Sequence, residues 1–335
     1  MPAPTKPAPS TPTLPAEVTL ESIRAAQDRI AGRVMCTPVI ENALLDERCG
    51  AWLHFKCENL QEMGAFKARG ATNALFARSA GELRAGVVTH SSGNHGAAVA
   101  RAARLRGVPA RVVMPHNSSA AKLAAVRAYG GEVILCEPTV AAREAAAARL
   151  VAETGALFVH PYDDPDVISG QGTIALELLE QVPALQWLLC PIGGGGLTSG
   201  LAVAAKALRP EIRIVAAEPA GADDAYRSFH SGVLAPPAPT STIADGLRGA
   251  LSARTFALIR AHVDEVVTVD EAAIVRAMRA LWQHLRIIVE PSSAVAFAAV
   301  LERKVDVQGA HVGIVLTGGN VDLDALPWSA EAAIR

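Results

Sequence analysis

From about Thr19 onward, short β-branched apolar runs alternate with longer stretches in which alanines and leucines recur at helical spacing. Val87-Val88-Thr89-His90 reads as a strand and 94–106 as the helix after it. Arg111-Val112-Val113-Met114 is the next strand, followed by a helix over 118–129 with Ser118 as its N-cap. Val133-Ile134-Leu135-Cys136 leads to a helix over 141–153 and then to Leu157-Phe158-Val159-His160. The same rhythm returns in Trp187-Leu188-Leu189-Cys190, Arg213-Ile214-Val215-Ala216 and Val312-Gly313-Ile314-Val315-Leu316. Regular strand–helix alternation predicts right-handed crossovers and largely parallel sheet covered by helices on both faces. The expected fold class is α/β, with two doubly wound parallel-sheet domains and a ligand cleft between them. Four strand–helix units over 86–163 form the expected small domain, and 17–85 with 164–335 the large one. Residues 1–16, rich in Pro, Thr and Ala, are expected to be a disordered tail.

Composition narrows the function classes. A chain of 335 residues, half of them hydrophobic, can bury a sizeable core. The formal net charge is −2 and no basic block appears, which argues against a nucleic-acid partner. No apolar run reaches the ~18–20 residues needed to span a bilayer, so no membrane role is expected. Five scattered cysteines, without a Cys-x-x-Cys pair, read as reduced thiols of a cytoplasmic protein.

In open parallel sheets ligands bind beyond the carboxyl ends of the strands, so the strand-to-helix turns carry the candidate chemistry. In Pro191-Ile192-Gly193-Gly194-Gly195-Gly196-Leu197, four glycines let successive N–H groups point into one concavity at a helix N-terminus. That is a phosphate cradle, with a flexible glycine turn as the alternative. It matches neither the dinucleotide-binding nor the P-loop pattern. Ser91-Ser92-Gly93-Asn94-His95-Gly96 offers hydroxyls and helix N–H groups to a carboxylate, and Asn94 can donate to a phenolate oxygen; a capped turn is the alternative. Thr317, after the last strand, can donate to a ring nitrogen, although taken alone it reads as an ordinary strand terminus. Lys67, beside Phe66 and among small residues, suits a dry slot in which its amine is neutral and able to bond an aldehyde; a solvated surface lysine is the alternative, and the commoner case for such a residue taken alone.

Phe55-Lys56-Cys57-Glu58-Asn59-Leu60-Gln61, Gly64-Ala65-Phe66-Lys67-Ala68-Arg69-Gly70, Ser-Ser-Gly-Asn-His, the tetraglycine turn and Thr-Gly-Gly-Asn occur in that order. Together they resemble the fold-type II pyridoxal-phosphate enzymes (tryptophan synthase β-like), and within them the serine/threonine dehydratase and serine racemase branch, threo-3-hydroxyaspartate dehydratases included. The resemblance spans about residues 20–325. It implies pyridoxal 5′-phosphate held covalently by Lys67, with Phe66 against the ring, Asn94 on the phenolic oxygen, and Thr317 on the ring nitrogen. Gly193, Gly194, Gly195, Gly196 and Leu197 would bind the phosphate. Ser91, Ser92 and His95 would meet the substrate carboxylate, with Ser92 also a second catalytic group on the opposite ring face. Two positions depart from the family pattern: Ala65 stands where Ser is common, and Gly96-Ala97 where many dehydratases have Ala-Gln.

Glu218-Pro219-Ala220-Gly221-Ala222-Asp223-Asp224 resembles the divalent-cation loop of the racemases. The ligands would be Glu218, the Ala222 carbonyl and Asp224, with Mg²⁺, Mn²⁺ or Ca²⁺ as the ion. Without the resemblance the same residues read as an acidic helix start. Glu290 is expected to open a helix near the cofactor edge, and Asp245-Gly246 to line the site or form a simple turn. Arg143 is expected on a solvated helix face, and His160 as a buried, hydrogen-bonded histidine. The resemblance implies a homodimer that converts a β-hydroxy amino acid (serine, threonine or threo-3-hydroxyaspartate) to a 2-oxo acid and ammonia, with serine racemisation beside it. A β-replacement enzyme of the same fold, or a non-catalytic phosphate-ligand-binding protein, is the alternative.

Overall fold

The computed structural model describes residues 17–91 and 93–328; the expected tail and Ser92 lie outside the described residues. Among the described residues ten strands form two sheets. They are β1 (Val39–Ile40), β2 (Trp52–Cys57), β3 (Val87–His90), β4 (Ala110–Pro115), β5 (Glu132–Cys136), β6 (Leu157–Phe158), β7 (Trp187–Pro191), β8 (Arg213–Pro219), β9 (Glu265–Val269) and β10 (His311–Leu316). The larger sheet runs β1-β2-β10-β7-β8-β9 and the smaller β5-β4-β3-β6. Every pairing is parallel except β1 with β2.

Side-chain alternation puts helices on both faces of each sheet. In β7, Leu189 faces a core shared with the helices Glu271–Leu285 and Pro291–Leu301, among whose residues are Ile274, Met278 and Phe297. Its neighbours Leu188 and Cys190 face the opposite core, with Ile174, Leu178 and Leu201 of the helices Pro165–Gln181 and Gly196–Leu208. In the small sheet Val112 and Met114 pack toward the helix Asn94–Arg106, while Val113 meets Ala147 and Leu150 on the other side.

Local differences from the sequence reading have physical causes. Ser119, not Ser118, caps the helix Ala120–Ala128, its hydroxyl accepting from the Lys122 N–H. The strand before residue 160 ends at Phe158, because the His160 ring turns back to accept from the Tyr162 and Asp163 amides. β2 gives no clear strand pattern in the sequence because Lys56 interrupts it. That lysine is fully buried, and its ammonium donates to Glu177 (2.6 Å), the Thr37 carbonyl (2.7 Å) and Gln181 (3.0 Å). All five cysteines are free. Among the described residues no helix is long and apolar enough to cross a membrane.

The order β10-β7 places the carboxyl ends of these two parallel strands side by side. Thr317 and the glycine turn therefore stand on one edge of the large sheet, facing the ends of β3 and β6 in the small one.

Candidate active site

Lys67 opens the helix Lys67–Phe76. The segment before it is pinned to the end of β10: Phe66 N–H donates to the Thr317 carbonyl at 3.0 Å, and Ala65 bridges Gly318. This fixes Lys67 beside Thr317. Its Nζ donates to the Pro161 carbonyl at 2.6 Å and lies 5.1 Å from the centre of the Phe66 ring. No carboxylate pairs with it among the described residues. Burial of the amine lowers its pKa to about 8, because a desolvated ammonium without a counter-ion is disfavoured.

Pro161 leads to Tyr162, and Tyr162 leads to the glycine turn. A Cβ on Gly194 would stand 2.4 Å from the Tyr162 ring, and one on Gly196 2.9 Å from its backbone. Gly195 has φ +83 and caps the helix Gly196–Leu208 without any side-chain hydrogen bond. The amides of residues 193–197 find no acceptor among the described residues. Several free donors at a helix N-terminus, with no acidic group on them, suit an anion. The Lys67 amine, Thr317 and the free amides of the glycine turn are thus gathered in one place.

Across the cleft, Asn94 is the first residue of its helix, and Gly93, not Asn94, is the N-cap. The side chain is free of the helix. Its Nδ2 donates to both Glu290 oxygens, at 2.9 and 3.2 Å, and its Oδ1 accepts from Asn320 Nδ2 at 2.8 Å. Glu290 does stand at the N-cap of Pro291–Leu301, as expected, but its carboxylate makes no cap hydrogen bond. Burial, with the charge of Asp245, raises its pKa to about 7, against the opposing hydrogen bond from Asn94. The sequence signals Glu290 only weakly, through its position just before a Pro-Ser-Ser helix start.

The Ser91 hydroxyl accepts from the Gly93 N–H at 3.1 Å. His95 is buried and its Nε2 faces the Val159 carbonyl at 3.2 Å, so that nitrogen carries the proton. Among the described residues its Nδ1 is a buried acceptor without a partner, and burial beside Lys67 holds the ring neutral, its pKa well below the ordinary histidine value. His95 can serve a carboxylate through its main-chain N–H, not through its ring. His160 is likewise neutral, lowered to about 4 mainly by burial. Its Nδ1 is occupied by two amides, so the ring is hydrogen-bonded as expected, but it is half-buried and not buried.

Asp245 lies in the turn Asp245–Leu247, over the glycine loop, where a Cβ on Gly193 would meet the Leu247 backbone at 2.8 Å. Its carboxylate accepts from Lys122, whose side chain runs past Gly93. Arg143 is not on a solvated face. It is half-buried, one turn before the buried Ala147 on the inward stripe of the helix Val140–Thr154, and among the described residues its buried Nε has no acceptor.

Glu218, near the end of β8, is buried and accepts from the amides of Ala225 (3.1 Å) and Tyr226 (2.8 Å), at the start of the helix Asp224–Ser231. Asp224 accepts from the Leu251 amide at 3.1 Å. Burial raises both carboxyls, Glu218 to about 8. Among the described residues no three His, Cys, Asp or Glu side chains gather as a metal set. Glu218 therefore has the geometry of an acidic residue at a helix start, with only two carboxylates and a carbonyl on offer to a cation.

The chain is similar to known proteins over most of its length. The family described as "Pyridoxal-phosphate dependent enzyme" matches residues 30–318. A β-hydroxyaspartate dehydratase from Paracoccus denitrificans (strain Pd 1222) is 51% identical over 312 residues, covering 93% of this chain and 99% of that protein. A serine racemase from Oryza sativa subsp. indica is 49% identical over 316 residues, 93% of each chain. The structure of maize serine racemase superposes with a TM-score of 0.91 at 47% identity, covering 95% of this chain and 98% of the other.

Proposed function

The chain belongs to the pyridoxal-phosphate dependent enzymes, and from that premise we propose that it is a dehydratase of β-hydroxy amino acids, an ammonia-lyase that releases a 2-oxo acid and ammonia. The observation that carries the reading is the Lys67 amine, desolvated, without a carboxylate partner and neutral above about pH 8. The donor set fits the cofactor. An amine for the aldehyde, free amides for the phosphate and a neutral hydroxyl for the ring nitrogen match its three reactive ends.

When bound, pyridoxal phosphate supplies an electron sink for charge developing at the substrate α-carbon. Lys67 would hold it covalently, with Phe66 against the ring, Asn94 on the phenolic oxygen, Thr317 on the ring nitrogen and residues 193–197 around the phosphate. Ser91, Ser92 and the main-chain N–H of His95 receive the substrate carboxylate. The Lys67 amine would take the α-proton and return a proton to the departing β-hydroxyl. Thr317 cannot keep the ring nitrogen protonated as an acid would, which favours prompt loss of the β-leaving group. Overall the substrate loses water, then regains it on hydrolysis to the 2-oxo acid and ammonium.

Serine racemisation is the second reading, favoured by the similarity to plant serine racemases, with Ser92 as the acid–base group on the other face. The division into 86–163 and 17–85 plus 164–335 belongs to the same proposal, as do a homodimer, a cytoplasmic location and a divalent cation at Glu218, Ala222 and Asp224. A screen of serine, threonine and threo-3-hydroxyaspartate for 2-oxo acid and ammonia tests the function. Stoichiometric release from at least one is expected; release from none, with cofactor bound, contradicts it.

A further inference from the structure

The amide of Asn320 uses both of its hydrogens. One donates to the Met63 carbonyl at 2.9 Å and the other to Asn94 Oδ1 at 2.8 Å. Met63 has φ +55, in the left-handed region, four residues before Lys67. Asn320 thus ties the approach to the lysine on one side of the cleft to Asn94 on the other. It stands three residues after Thr317, and the residues between make the approach possible. A Cβ on Gly318 would lie 2.7 Å from a Glu290 oxygen and 3.2 Å from Asn94 Nδ2, while one on Gly319 would meet the Ile288 carbonyl at 2.7 Å.

An asparagine amide can flip end for end with almost no change of shape, and only its partners decide which end is nitrogen. At Asn94 both ends are decided. Glu290 presents carboxylate oxygens to Nδ2, and Asn320 presents N–H to Oδ1. Flipping Asn94 would set oxygen against oxygen at Glu290 and N–H against N–H at Asn320. Glu290 alone is an incomplete lock: its pKa of about 7 lets it exist protonated, and a carboxylic acid can donate to a flipped amide oxygen. Asn320 has no such freedom while its nitrogen is also held by the Met63 carbonyl. Where one Nδ2 hydrogen of Asn94 is shared between the two Glu290 oxygens, at 2.9 and 3.2 Å, the other is left for a further acceptor.

We infer that Asn320 is a positioning residue that fixes the amide of Asn94, so that its donating end faces the phenolic oxygen of the cofactor. The inference rests on the proposed cofactor role of Asn94. The Thr-Gly-Gly-Asn segment then acts at both ends of the ring, with Thr317 meeting one and Asn320 orienting the group that meets the other.

A double-mutant cycle read as cofactor affinity tests this, by titrating apoprotein with pyridoxal phosphate and following visible absorbance, with thermal melts in parallel. Asn320 is exposed, so its truncation leaves the core packing intact. Asn320→Ala, and Asn320→Asp as an isosteric second variant that sets oxygen against the Asn94 oxygen, are expected to weaken cofactor binding about tenfold (~1.4 kcal/mol). In an Asn94→Ala background the same changes should weaken it less than about twofold, because the group through which Asn320 acts is gone. An equal loss in both backgrounds would mean that Asn320 acts only through the Met63 loop, and would overturn the inference. So would unchanged affinity in the single variants. A wild-type protein that binds no pyridoxal phosphate at all would remove the underlying reading and the inference with it, an outcome distinct from both.

Discussion

Two residues beyond Lys67, Arg69 lays its guanidinium along Glu58, with Nε and Nη2 each 2.8 Å from a carboxylate oxygen. Both side chains are fully buried. The remaining guanidinium hydrogens go to Glu177, Thr173 and the Met35 carbonyl, and Lys56 completes the neutral set of two cations and two anions. The helix that carries the lysine is thereby anchored in the large sheet's interior, where a buried pair holds only if every partner is present.

Removing one partner strands a charge. Arg69→Met or Glu58→Gln should each destabilise the protein by about 3–5 kcal/mol, read as a fall in the denaturant midpoint. A loss below about 1 kcal/mol would show that the cluster does not hold the helix.

The amine at position 67 sets a pH dependence. Burial disfavours its charged form, so the neutral amine becomes the main species as pH rises through about 8. The rate at which apoprotein takes up pyridoxal phosphate covalently should rise through that pH and level off above it. Stopped-flow absorbance between about pH 6.5 and 9.5 checks this; a flat profile would contradict it.

Glu290 sets another. Its folded pKa of about 7 lies above the ordinary 4.5, so the folded state binds its proton more tightly than the unfolded chain does. Its contribution to stability is full below pH 4.5 and declines as pH rises to about 7, then stays constant. Subtracting melts of Glu290→Gln from those of wild type over this window isolates the effect. A difference that does not change with pH would contradict it.

Much of this site is legible in the sequence because it lies in strand-to-helix turns marked by glycine. The run 193–196, Asn94 after Ser-Ser-Gly, and Thr317 at the last apolar strand all follow from local pattern. What stays hidden depends on pairs remote in sequence. Asn94 meets Glu290 across 196 positions and Asn320 across 226, and no periodicity reports such contacts. The neutral His95 ring, the inward Arg143 and the Tyr162 ring over Gly194 follow from packing between the sheets. β2 is obscure for the same reason, since Lys56 reads as polar until Glu177 is placed beside it.

The ion pair between Lys122 and Asp245 spans the two sheets and is partly exposed. Asp245→Asn should therefore change global stability by less than ~1 kcal/mol, yet speed amide exchange in the helix Ala120–Ala128, which loses its tie to the turn. Unchanged exchange there would show that the pair does not restrain the small sheet's edge.

The cation proposal predicts that added Mg²⁺ or Ca²⁺ raises the melting temperature, that chelator reverses the rise, and that Glu218→Gln abolishes it. Indifference of the wild type to all three ions, Mn²⁺ included, would leave Glu218 as a helix-start carboxylate alone.

Borohydride reduction of the cofactor-loaded protein, followed by peptide mapping, asks where the covalent link is. A pyridoxyl group on Lys67, absent from Lys67→Ala, is the outcome this account requires. Label on any other lysine, or visible absorbance untouched by the reductant, would contradict it.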